Sequence, residues 1–130
     1  MTQTFGRFEL TRWDEERYHE SEGARLVRVQ NTKTFRGGVA GTSETELLQA
    51  LTPGGTAAYV AIERVSGHVD GRAGTFVLRH CALGSAAGGT ATIDVVPGSA
   101  TGQLVGLRGE MTVNRTPEGD HTFTFTYEIG

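Results

Sequence analysis

Tyr59-Val60-Ala61-Ile62-Glu63-Arg64-Val65-Ser66-Gly67-His68-Val69-Asp70-Gly71-Arg72-Ala73-Gly74-Thr75-Phe76-Val77-Leu78-Arg79-His80-Cys81 reads as two strands around a tight turn. Both arms are rich in β-branched and aromatic residues, which suit a pleated, half-buried surface. Asp70-Gly71 supplies the positive φ angles of a type I′ hairpin. That turn sets Val69 opposite Arg72, Val65 opposite Phe76, Glu63 opposite Leu78 and Ala61 opposite His80. Alternation then gathers Tyr59, Ala61, Glu63, Val65, Phe76, Leu78 and His80 on one face. This face is apolar except for a phenol, a carboxylate and an imidazole. The opposite face carries Val60, Ile62, Arg64, Thr75, Val77, Arg79 and Cys81, the mixture expected of a half-exposed wall.

The flanking sequence extends the same pattern. Thr4–Trp13 reads as a first strand, Asp14–Gly23 as a charged loop, Ala24–Arg36 as a second strand and Val39–Thr52 as a third. Pro53-Gly54-Gly55, taken as a three-residue loop, pairs Glu44 with Arg64 and puts Ser43, Thr45, Leu47 and Gln49 on the Glu63 face. The two-residue alternative sets Glu44 against Glu63, and directly opposed like charges are unfavourable. Carried through a tight turn at Gly37-Gly38, the register adds Leu26, Arg28, Gln30, Thr32 and Thr34 to that face. Val27, Val29, Leu48, Val60 and Ile62 are then left as an apolar band outside. No predicted helix covers that band, so the expectation is a homo-oligomer, with a dimer as the simplest state.

Downstream, Gly84–Gly89 reads as a flexible connection, and Thr90–Pro97 and Glu110–Arg115 as strands. The final strand is the clearest: His121, Phe123, Phe125, Tyr127 and Ile129 alternate with Thr122, Thr124, Thr126 and Glu128. No segment shows amphipathic helical spacing. Eight antiparallel strands in one domain spanning residues 1–130 predict an all-β, eight-stranded antiparallel barrel with little or no helix.

Composition narrows the function classes. With 12 basic and 15 acidic residues the net charge is −3, so no electrostatic footprint for nucleic acid is present. No apolar run approaches the roughly 20 residues of a membrane-spanning helix. The one cysteine, Cys81, cannot close an internal disulfide, which agrees with a cytoplasmic location. His19, His68, His80 and His121 show no metal-ligand spacing, so no metal is expected.

Gly98-Ser99-Ala100-Thr101-Gly102-Gln103-Leu104-Val105-Gly106-Leu107-Arg108-Gly109 resembles the segment shared by allene oxide cyclases and dirigent proteins. Together with Ile62-Glu63-Arg64-Val65, Phe76-Val77-Leu78 and Val95-Val96-Pro97-Gly98, it looks most similar to a bacterial family of uncharacterised proteins in that barrel superfamily. The resemblance implies an allene-oxide-cyclase-like barrel, lipocalin-like in outline, with a pocket inside. It also implies a way of working: plant relatives use the barrel to steer cyclisation or coupling of apolar intermediates without a cofactor.

Glu63, His80 and Tyr59 are the candidate catalytic residues. A carboxylate inside a barrel loses hydration, and burial alone raises its basicity. Glu63 also reads as a strand carboxylate paired with an arginine, His80 as a satisfied core imidazole, and Tyr59 as packing with a polar tip. Convergence of the three in one apolar space favours a site. Candidate substrate contacts are Arg28, Gln30, Leu47, Phe76, Leu78, Phe123, Phe125 and Tyr127. The function expected is a cofactor-independent isomerase, cyclase or lyase acting on a small apolar or aromatic metabolite. The alternatives are a non-catalytic binding barrel and an interaction protein whose barrel is plugged.

Overall fold

The computed structural model describes residues 1–130 as a closed antiparallel barrel in which every strand pairs with its neighbours in chain order and β8 closes on β1. The strands are β1 (Thr2–Glu20), β2 (Arg25–Gly37), β3 (Val39–Leu51), β4 (Ala57–Val69), β5 (Arg72–Ser85), β6 (Gly88–Val95), β7 (Leu107–Arg115) and β8 (His121–Ile129). The only helical element is a single 3-10 turn, Gly102–Leu104. The central hairpin has the expected register, including Glu63 opposite Leu78 and Ala61 opposite His80. Its turn takes Asp70 to φ 46° and Gly71 to φ 85°, the left-handed pair that Asp-Gly accommodates. The Pro53 loop gives the Glu44–Arg64 pairing.

Beyond the Gly84–Gly89 connection, which is a hairpin tip pairing Gly84 with Gly89 and Ser85 with Gly88 rather than a flexible loop, two expectations need correction. Asp14–Glu20 is strand, not loop: β1 runs on beside β2 as far as Glu20 opposite Arg25. Its side chains are all exposed, so the polar hairpin gave no apolar alternation to read. The second error lies in β2. The Gly37-Gly38 turn sets Phe35 opposite Gly41 rather than Arg36 opposite Val39, a one-residue change that exchanges the faces. Val27, Val29, Asn31 and Phe35 therefore point inward and are buried, whereas Arg28 and Gln30 are exposed and cannot contact anything held inside. The external apolar band loses Val27 and Val29 and keeps only Leu48, Val60 and Ile62.

The interior has two halves. In the lower half, toward the Asp70 turn, Phe35, Phe76, Phe123, Phe125 and Tyr127 pack with Val39, Val65, Val69, Leu78, Leu104, Leu107 and Met111. Phe125 lies between Phe76 (5.9 Å) and Tyr127 (5.3 Å) in an offset stack. The wall coils tightly here. Gly41 and Gly67 are directly paired, and a Cβ on them would lie 2.2 and 2.0 Å from the Ser66 and Ala40 carbonyl oxygens. The β6–β7 connection seals this end. Leu104 is fully buried, and Thr101 bonds to the Thr75 backbone through both its amide (2.8 Å) and its hydroxyl (3.1 Å).

Toward the other end the barrel is looser. β6 and β7 share one pair, Asp94 opposite Glu110. β8 reaches only His121, opposite Phe8, so β1 beyond Phe8 pairs with β2 alone. A bulge between Leu10 and Arg12 changes the parity of β1, so that Leu10 (opposite Lys33) and Trp13 (opposite Asn31) both face inward.

Asp70 ties the packed end together. Its carboxylate accepts hydrogen bonds from the Thr4 hydroxyl of β1 (2.7 Å) and the Tyr127 hydroxyl of β8, and its amide donates to the Gly38 carbonyl (2.8 Å). Burial, the hydrogen bond to Asp70 and the Asp70 charge raise the Tyr127 pKa, so the phenol stays a donor. Replacing Asp70 with Ala removes both acceptors and leaves a β-carbon at positive φ. Urea denaturation should show a loss of about 2 kcal/mol, with Asp70→Asn losing less. A loss below about 0.5 kcal/mol for Asp70→Ala would show that the tie does not hold the end closed.

Candidate functional site

Four strands bring interior rows together above the packed half. Asn31, Thr45, Glu63 and Leu78 form one row across β2, β3, β4 and β5; Val29, Leu47, Ala61 and His80 form the next. Lys33 and Ser43 are paired one step below. Glu63 is at the centre and only 1% exposed. Its Oε1 is 2.7 Å from His80 Nε2, its Oε2 accepts from Ser43 Oγ at 2.6 Å, and Lys33 Nζ lies 3.2 Å from both oxygens. Lys33 is itself mostly buried, its ammonium 4.8 Å from the centre of the Phe8 ring.

Burial pushes the Glu63 pKa up, but the His80 hydrogen bond, the Lys33 charge, the His80 charge and the Ser43 hydroxyl together outweigh it. The result is a carboxyl lowered from 4.5 to about 2. This reverses the expectation that burial would make Glu63 basic. An ionised carboxylate only accepts, so His80 Nε2 carries the proton in their bond, and in the neutral ring Nδ1 holds the lone pair.

The site borders a cavity of about 310 Å³ in the looser half, lined among others by Phe8, Trp13, Asn31, Lys33, Thr45, Leu47, Tyr59, His80 and His121. That volume lies at the lower end of the range for small-molecule pockets. Leu10, Trp13 and Val113, partly exposed, mark its mouth. Burial and the Glu63 charge raise the Tyr59 pKa, which keeps the hydroxyl protonated. A larger groove, about 770 Å³, runs over the outside of the barrel past Leu48, Val60 and Ile62. Apart from His80, which borders the internal cavity as well, its polar side chains Arg28, Glu46, Arg79 and Thr92 are all exposed, so this groove does not gather the buried polar groups found inside.

Of the expected residues, Glu63 and His80 are bonded, and His80, Tyr59 and Leu47 line the cavity. Phe76, Phe123, Phe125 and Tyr127 belong instead to the packed half, below Glu63 or on the far wall, and Leu78, level with Glu63, packs into that same cluster and does not border the cavity. Lys33, Asn31 and Trp13 were missed with the β2 register and the β1 bulge. The odd-numbered apolar set Val27, Val29 and Phe35 is the signal that finds Lys33 and Asn31 on the inner face.

Stability should follow Glu63 ionisation. Because its folded pKa lies below the unfolded value, its contribution is complete above about pH 4.5 and disappears as the pH falls toward 2. Glu63→Gln leaves Lys33 without its buried counter-charge and should cost about 3 kcal/mol at pH 7. The gap between wild type and variant, followed by denaturation from pH 6 to 2, should close over that window. A gap that stays constant with pH would show that the carboxylate charge contributes nothing.

No curated protein matches the chain. Among solved structures, it is similar to the crystal structure of a protein of unknown function, from the DUF3224 family, of Shewanella oneidensis MR-1. The TM-score is 0.91 and the identity 35%, over 100% of this chain and 98% of that one. Residues 4–127 match the family described as protein of unknown function, DUF3224, and the chain belongs to that family.

Proposed function

We propose that the barrel binds a small, largely apolar molecule and moves a proton on it without a cofactor, as an isomerase, cyclase or lyase. The observation that carries this reading is the buried Glu63–His80 bond, 2.7 Å long, at the wall of an internal cavity. The carboxylate is too weak a base at about pKa 2 to take the proton itself. It holds the ring, fixes the tautomer and stabilises the imidazolium that forms. His80 Nδ1 is the proton acceptor. For a ketone, Nδ1 removes a proton from the carbon beside the carbonyl and the electron pair moves onto the carbonyl oxygen. The Tyr59 hydroxyl, kept protonated, donates a hydrogen bond there. Return of the proton to the same carbon is exchange or epimerisation. Where a carbon–carbon double bond lies β,γ to the carbonyl, its return from Nδ1 to the γ carbon moves the double bond into conjugation and completes an isomerisation. The resemblance of Gly98–Gly109 to the segment shared by allene oxide cyclases and dirigent proteins supports a barrel that works by shaping its substrate.

Exchange of the α-hydrogens of cyclohexanone in deuterated water, followed by proton NMR, tests the proton transfer directly. Wild-type protein should accelerate exchange beyond free imidazole at equal concentration. His80→Gln, whose amide can still donate to Glu63, should lose about 100-fold or more, and Tyr59→Phe about tenfold. Equal rates for wild type and His80→Gln would remove the catalytic reading and leave a binding barrel.

A further inference from the structure

Two buried polar atoms have no hydrogen-bond partner: Asn31 Oδ1 and Thr45 Oγ1. Asn31 is 5% and Thr45 4% exposed, they are directly paired across β2 and β3, and both border the internal cavity. They belong to the same row as Glu63, yet they take no part in its hydrogen bonds. An unpartnered buried polar group destabilises a protein, so two side by side facing a cavity point to a partner supplied from outside.

We propose that the cavity's occupant is an uncharged ring compound whose polar end both donates and accepts hydrogen bonds, and that Asn31 and Thr45 hold that end. This names the ligand class for the binding reading above and rests on it. The charge follows from the neighbours. Glu63 already has donors from His80, Ser43 and Lys33, and the Lys33 ammonium is matched by that carboxylate, so the ions beside Asn31 and Thr45 offer a charged ligand no free counter-ion. The polar end must serve both roles because Asn31 Oδ1 only accepts and so needs a donor, whereas the Thr45 hydroxyl has a hydrogen that needs an acceptor. An amide, oxime or hydroxyl group on a ring meets this requirement. The ring has Leu47, Ala61 and Ile93 to pack against, with Phe8, Trp13 and Tyr59 around them. At roughly 30 Å³ per water, the space equals about ten waters, which admits a molecule on the order of ten non-hydrogen atoms.

Three probes of matched size separate the possibilities: benzamide, ethylbenzene and benzoate, titrated against the full chain by NMR, with melting temperatures measured in parallel. Benzamide should bind at least about tenfold more tightly than either of the others. Thr45→Val and Asn31→Leu, which keep shape and remove the unpartnered atoms, should each raise the melting temperature of the free protein. Each should also weaken benzamide about tenfold and leave ethylbenzene unchanged. Unchanged or lower melting temperatures would show that these atoms are already satisfied, and the proposal falls. Tighter binding of benzoate overturns the argument from charge, and equal binding of benzamide and ethylbenzene overturns the role of the polar end. If none of the three binds, the cavity is not a ligand site and the binding reading fails with it. Benzamide binding without proton exchange at His80 removes only the catalytic reading.

Discussion

A carboxylate with 1% of its surface exposed can stay ionised only where its lost hydration is replaced, and Glu63 finds its replacements on three different strands. His80 comes from β5, Ser43 from β3 and Lys33 from β2, so the charge is held only when the registers of all four strands agree. A slip of one residue anywhere in β2–β5 would remove a donor and leave a buried ion uncompensated. The charged cluster therefore specifies the barrel as much as it equips it. It also marks the boundary between a half filled by rings and a half left partly empty.

The division follows from side-chain size. Below Glu63, rows that include Gly41 and Gly67 let the wall coil tightly, and five large rings occupy the space. Above its row, the inward positions of β2, β3 and β4 include Val29, Leu47 and Ala61, whose short side chains leave space beside Tyr59 and His80. Packing density explains the first half; in the second, side chains that do not reach one another leave the cavity of about 310 Å³.

Much of this was legible in the chain. Asp70-Gly71 determined one register through turn chemistry, and the repulsion between Glu44 and Glu63 chose another, which was enough to bring Glu63 and His80 together. The β2 register failed because a glycine pair was read as a two-residue turn, whereas the apolar alternation of Val27, Val29 and Phe35 carried the better information. Lys33, the cation that reverses the Glu63 pKa, was hidden by that error. The parity change at Leu10–Arg12 could not be read at all: a bulge is a backbone event, and no residue type there demands it. Likewise the direction of the Glu63 shift depends on three donors whose distances only the folded chain defines.

The β6–β7 seam has a consequence for kinetics. Its one pair sets Asp94 opposite Glu110, two acids, and Arg79 engages Asp94 through both guanidinium contacts, at 3.0 and 2.6 Å, while Glu110 stands without an ion-pair partner. Elsewhere adjacent strands share from seven to thirteen pairs, so this is the most weakly paired seam of the wall. Ile93 and Val113, one on each side of the seam, both border the cavity. Local opening at this seam is thus separable from global unfolding, and its rate need not follow the stability of the better-paired strands.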